Sequence, residues 1–294
     1  MANQKMNLPS PFSFKECLWF LNRNFDDCMH TVGEDHVRKV ILVENQPVLF
    51  EIREKNSKLI IKILKGEGSP VIENFIHDWF DINRDIKPFY QLLSAHKELA
   101  YMSKDFEGLR LIGIPDLFEA ICWCIIGQQI NLTFAYKTKR RLVERYGTKI
   151  IYEGQDYYAF PSPEALAAAN PEELKAMQFS AQKIAYLTGI ANVFKEGKMS
   201  KQILLDLPDV AAQQKALTAI KGIGIWTANY TLMKTLRIPT SIPYGDAGLL
   251  NGLIAHRIIS DKKDIEGINT FFRHFKGWES YLVFYLWRSL APKT

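Results

Sequence analysis

LTAIKGIGIWTANYTLMKTLRIPTSIPYGDAGLL, from Leu217 to Leu250, is the stretch on which the fold turns. Gly222 and Gly224 flank a single isoleucine, Trp226 follows two residues on, and Asp246 stands sixteen residues beyond Tyr230. ALTAI and WTANYTLMKTL have helical spacing, so the segment reads as helix, tight turn, helix. Glycines in the turn permit positive φ and close backbone approach. The second helix then begins with N–H groups that no helical carbonyl satisfies, and such groups attract anions. A nucleic-acid phosphate fits there without regard to base sequence. Lys221 adds one positive charge. A tight corner in a helical bundle would look the same. G-I-G is not the strand-linked phosphate fingerprint, because no strand precedes it and no third glycine follows at the required distance.

RIPTSIP is an extended linker with two prolines, and it delivers Asp246 to the start of another helix, AGLLNGLIAHRII. An aspartate there is a natural N-cap. Capping and catalysis are compatible, since the helix dipole and N–H groups hold a carboxylate ionised. A fixed anion suits an enzyme that must stabilise a developing cation.

Outward from this segment the chain is helical from about Pro88 to the end, with almost no alternating strands. Asp116 can cap LFEAICWCIIGQQ, and Asn131 can cap LTFAYKTKRRLVERYG. Pro163 and Pro171 each open a helix in a first turn where proline is tolerated. Towards the N-terminus the pattern changes. VRKVILV, PVLFEI and LIIKIL are short β-branched runs separated by ENQ and EKNS, as hairpin turns would separate them. A helix with Phe14, Cys17, Phe20, Leu21 and Phe25 at near-helical spacing precedes them. The reading is an α+β chain: a small N-terminal antiparallel-sheet domain over residues 1–95, then an all-helical body over residues 96–294.

Composition sets wider bounds. Of 294 residues, 47% are hydrophobic and 23% charged, a globular balance. No run reaches the 18 or so apolar residues that span a bilayer. The N-terminus lacks the apolar region and cleavage site of a signal peptide. No membrane role and a cytoplasmic location are expected. The net charge of +5 is compatible with a polyanionic partner. Cys17, Cys28, Cys122 and Cys124 form no CxxC pattern, so neither structural zinc nor a four-cysteine iron–sulfur cluster is expected. KTKRR at 137–141 is either a DNA patch or a solvated helix face.

The segment from Leu217 to Leu250 resembles the helix-hairpin-helix plus Gly/Pro-Asp motif of the DNA base-excision glycosylases, and more narrowly the DNA-3-methyladenine glycosylase II branch. GLRLIGIPDLFEAICWCIIGQQINLTFAYKTKRRLVERYG, FPSPEALAAANPEELKAMQFSAQKIAYL and FKGWESYLVFYLW are similar to other segments of that branch. The resemblance runs from about Gly108 to Trp287. It implies hydrolysis of the N-glycosidic bond of an alkylated purine, such as 3-methyladenine or 7-methylguanine, in duplex DNA. Asp246 would be the catalytic carboxylate. Relatives that also nick the strand carry a lysine where this chain has Trp226, and an indole cannot form a Schiff base. A monofunctional hydrolase is therefore implied.

The same resemblance implies an aromatic base pocket of Trp226, Tyr230 and Trp287, with Phe20 reaching in from the N-terminal domain. DNA contact falls to Gly222, Ile223, Gly224 and Thr227 of the hairpin and to Gln128 and Gln129 of GQQI. Gln129 is placed to fill the gap left by the extruded nucleotide, with Ile130 as the alternative. Ala247 and Gly248 are smaller than their counterparts in some relatives, which suggests a more open pocket wall. No metal or cofactor is required. Whether a monovalent cation sits at the hairpin carbonyls stays open. The expected partner is duplex DNA with alkylated or abasic sites, bound by a monomer. Two rivals stand beside this reading: a glycosylase for oxidised or mismatched bases, and a non-catalytic damaged-DNA-binding protein.

Overall fold

The computed structural model describes residues 4–23 and 25–291. Its first part contains β1 (Gln4–Asn7), α1 (Phe14–Leu21), β2 (Thr31–Val32), β3 (His36–Val43), β4 (Gln46–Lys55) and β5 (Lys58–Lys65). The strands form one antiparallel sheet in the order β1-β5-β4-β3-β2. The ENQ and EKNS turns fall where expected. Glu44 and Asn45 have φ of 49° and 62°, and Asn56 and Ser57 have 54° and 55°. That backbone makes two-residue hairpin loops whose twist matches the flanking strands.

The rest is mainly helical. After α2 (Ser69–Phe80), α3 (Lys87–Ser94) and α4 (Met102–Asp105) come α5 (Leu117–Gly127) and α6 (Leu132–Tyr146). The caps read from the sequence are present: Asp116 accepts from Glu119 N at 2.6 Å, and Asn131 from Phe134 N at 2.9 Å.

The body is not all-helical, contrary to what helical spacing alone suggests. β6 (Thr148–Tyr152) and β7 (Gln155–Ala159) form a hairpin that turns on Glu153 and Gly154, both at positive φ. Ile150, Tyr157 and Ala159 pack on Val40 and Leu49 of the sheet. A two-stranded ribbon is marginal alone. What stabilises this one is a contact more than a hundred residues away, which local spacing does not announce.

The remaining helices are α7 (Pro163–Ala167), α8 (Pro171–Ala176), α9 (Ala181–Lys195), α10 (Lys201–Leu205), α11 (Val210–Thr218) and α12 (Ile225–Thr231). α12 runs into one π turn, Leu232–Leu236, and the chain ends with α13 (Ala247–Ala255), α14 (Ile265–Arg273) and α15 (Glu279–Ser289).

Two apolar cores cut across chain order. One joins the sheet and α1–α4 to α13–α15; in it the rings of Phe20 and Phe284 lie 4.4 Å apart, and those of Phe89 and Tyr285 lie 4.9 Å apart. The other is built from α5 through α12. The linker from α12 to α13 therefore crosses from one core to the other, and Asp246 sits at the crossing. Among the described residues no helix is long and apolar enough to cross a membrane, and no cluster of His, Cys, Asp or Glu could hold a metal ion. All four cysteines are free thiols.

Candidate active site

Asp246 is the N-cap of α13, and its Oδ1 accepts from the Leu249 N–H at 2.7 Å. The same oxygen accepts from the Trp287 indole N–H at 2.8 Å. Both bonds fall on Oδ1. Burial raises the carboxyl above the usual aspartate range, and the amides of Leu249 and Gly248 and the Trp287 indole pull it back. The result is a half-buried carboxylate with one fixed oxygen. Gly248 makes this possible. A Cβ there would lie 2.8 Å from Trp287 Cδ1 and 3.1 Å from Asp246 Oδ1. The expectation that small residues open the pocket wall is corrected at Gly248, because the space it leaves is filled by Trp287.

The four aromatics expected around the carboxylate lie in one chain of ring contacts. Trp226 stacks on Tyr230 with centroids 5.4 Å apart, and Tyr230 lies 6.1 Å from Trp287. Trp287 lies 6.2 Å from Phe284, and Phe284 4.4 Å from Phe20. Phe20 is thus joined to the others through Phe284. Trp226 and Tyr230 share a face one helical turn apart on α12, as i and i+4 must.

Further members of this cluster were not legible in the sequence. Trp123 of α5 donates its indole N–H to the Tyr230 hydroxyl at 3.2 Å and packs on Tyr136 at 4.6 Å. Tyr136 stacks on Phe25. The Arg23 guanidinium lies 3.7 Å over Phe20. Beneath the rings, Lys234 of the π turn donates to the Ile112 carbonyl, with its Nζ 4.9 Å from Phe284 and 6.0 Å from Trp287. Burial, with Arg237 and Arg23 nearby, drives the Lys234 ammonium well below its ordinary range. A helix as apolar as ICWCII hides Trp123, since every position looks like core.

The glycines of the turn differ. Gly222 has φ 97°, and an added Cβ would lie 2.6 Å from the Tyr186 ring. Gly224, the N-cap of α12, has φ −88° and nothing within 4 Å of an added Cβ. Nothing inside the protein requires a glycine at 224. Ile223 and Thr227 are buried, so their side chains are not presented at the surface. Gln128 turns inward, donating Nε2 to the Gly222 carbonyl at 3.2 Å. Gln129 is exposed, at φ 56°. The Ile220 carbonyl accepts from Ile223 N at 3.1 Å. KTKRR is largely tied down. Lys139 is buried between Asp27 (3.3 Å) and Glu119 (3.4 Å), and Arg140 pairs with Asp26 and Glu144.

Residues 122–275 match the profile of the HhH-GPD superfamily base excision DNA repair proteins, and residues 10–121 that of the 8-oxoguanine DNA glycosylase N-terminal domain. A DNA-3-methyladenine glycosylase of Bacillus subtilis is 37% identical, over 97% of this chain and 96% of the relative. The structure of a 3-methyladenine DNA glycosylase from Archaeoglobus fulgidus superposes with a TM-score of 0.84 at 21% identity, covering 97% of each chain. That of an 8-oxoguanine glycosylase/lyase from Clostridium acetobutylicum, in complex with duplex DNA, superposes at 0.76 with 17% identity, covering 98% of this chain and 96% of the other.

Proposed function

Because this chain belongs to the HhH-GPD superfamily of base excision DNA repair proteins, we propose that it is a monofunctional glycosylase that releases alkylated purines from duplex DNA. It acts as a cytoplasmic monomer and leaves an abasic site. The observation that carries the reading is Asp246, held through Oδ1 by α13 and Trp287 at the end of an aromatic chain that contains Trp226.

A purine alkylated on a ring nitrogen is cationic and leaves readily, so it needs little help from a general acid. As the bond from C1′ breaks, its electron pair goes to the base and the sugar becomes oxocarbenium-like. A preorganised carboxylate at low dielectric stabilises that cation and can take a proton from the attacking water. A glycosidase acting on a poor leaving group pairs two carboxylates. One suffices here. The target must first leave the stack, at about a few kcal/mol and less for a damaged pair. The faces of Trp226, Tyr230 and Trp287 then favour a cationic base by roughly 0.5–2 kcal/mol each.

The 8-oxoguanine profile over residues 10–121 supports a second reading, a glycosylase for oxidised bases. Trp226 counts against its strand-nicking form. Lys234 is the amine that could contest this, but it lies beneath the rings and bonds the Ile112 carbonyl. The test is release of base from methylated and from 8-oxoguanine duplexes, with and without alkali, plus borohydride trapping. Methylated base alone should appear, strands should break only after alkali, and nothing should be trapped. A trapped protein–DNA adduct would overturn the monofunctional assignment.

A further inference from the structure

One face of α9 holds together the two loops read above as touching DNA. Lys183, in the first turn of α9, donates Nζ to the Ile126 carbonyl at 2.7 Å, at the C-terminal end of α5. Three residues on, the Tyr186 ring occupies the space that a Cβ at Gly222 would need. Residues three apart share a helix face, so one edge of α9 touches both the end of α5 and the hairpin turn. Gln128 joins the same two loops directly, through the Gly222 carbonyl.

The carbonyl end of a helix carries partial negative charge and unsatisfied acceptors, and a cation there restrains its last turn. Lys183 is partly buried against that end, and burial lowers its ammonium below the ordinary lysine range. Its described partner is the Ile126 carbonyl rather than a carboxylate. Three residues past that carbonyl stands Gln129, exposed and in the left-handed region.

We propose that Lys183 is a positioning residue for base extrusion: by clamping the end of α5 it sets the distance between Gln129 and the Gly222–Gly224 turn, so that the side chain enters the duplex while the turn holds the strand. This rests on the glycosylase reading. Without the clamp the end of α5 frays, and Gln129 is no longer in register with the strand. A lesion that is already unpaired does not need the wedge.

The experiment compares single-turnover release of 7-methylguanine from a fully paired duplex and from the same duplex with the lesion looped out in a one-nucleotide bulge. Wild type, Lys183→Met and Lys183→Arg are tested, with melting temperatures alongside. K183M should lose tenfold or more on the paired substrate and less than threefold on the bulge. K183R, which can still donate to the carbonyl, should stay within threefold of wild type on both. A 2-aminopurine opposite an abasic analogue should brighten less with K183M than with wild type. Equal loss on both substrates, or no loss on the paired one, overturns the proposal. If K183M melts below the assay temperature, Lys183→Gln is scored in the same way at a temperature below its own melting point. Failure of wild type to release base from either substrate would instead overturn the glycosylase reading.

Discussion

Replacing each glycine of the turn by alanine should separate a demand of the fold from a demand of the partner. At Gly222 the fold objects. Alanine at φ 97° costs about 1–2 kcal/mol in backbone strain. Its Cβ would also lie 2.6 Å from the Tyr186 ring, which must move. A loss of roughly 2–4 kcal/mol is expected, read as a lower urea midpoint at constant slope.

At Gly224 the fold is indifferent. The φ of −88° suits alanine, and the new Cβ meets nothing within 4 Å. Reduced freedom of the unfolded chain stabilises by about 0.4–1 kcal/mol. The poorer capping preference of alanine takes back about the same. Stability should therefore change by less than about 1 kcal/mol. A phosphate on the α12 amides, by contrast, meets the methyl group. Losing one charge-assisted hydrogen bond costs roughly 1.5–3 kcal/mol, or about ten- to a hundredfold in Kd. Fluorescence anisotropy with a duplex carrying an abasic analogue measures this directly. Wild-type binding by Gly224→Ala would refute the idea that the open space is reserved for DNA backbone.

Other expectations follow from the same geometry. Trp287→Phe removes the indole donor to Asp246, so the carboxyl should rise further and the acid limb of the pH–rate profile should move to higher pH. Asp246→Asn should stabilise the fold at neutral pH. Burial raises the folded pKa above the unfolded value, so the native state holds its proton more tightly, and stability falls as pH rises through that window. Asparagine keeps an acceptor for Leu249 N and Trp287, so its melting-temperature gain should shrink once the pH falls below both values. Lys139→Met strands the carboxylates of Asp27 and Glu119 in a buried site and should cost about 3–5 kcal/mol by urea denaturation.

What was legible in the sequence is local. A glycine turn, a capping aspartate and a proline linker announce themselves over a few residues, and so do the caps at Asp116 and Asn131. The parts that were not legible are meetings between distant elements. Trp123 reaches Tyr230 from 107 positions away. Arg23 and Phe25 come to the cluster from a segment whose periodicity says only that Phe25 is apolar. The β6–β7 hairpin depends on packing against a sheet formed by much earlier residues. Lys139 looks like a surface lysine in KTKRR until Asp27 and Glu119 are placed beside it. Gln128 has the right address for DNA contact, yet its amide faces the Gly222 carbonyl. Spacing could not choose between these directions.

In the proposed reaction Asp246 alone carries the charge work of bond cleavage. Single-turnover release of 3-methyladenine from methylated duplex DNA, wild type against Asp246→Asn, tests it most directly, with abasic-analogue binding as the control. The Asn variant should bind within a few-fold of wild type and lose about a hundredfold or more in rate, as when one preorganised group is removed elsewhere. Release within tenfold of wild type by the Asn variant would contradict the account and move the chemistry to another group.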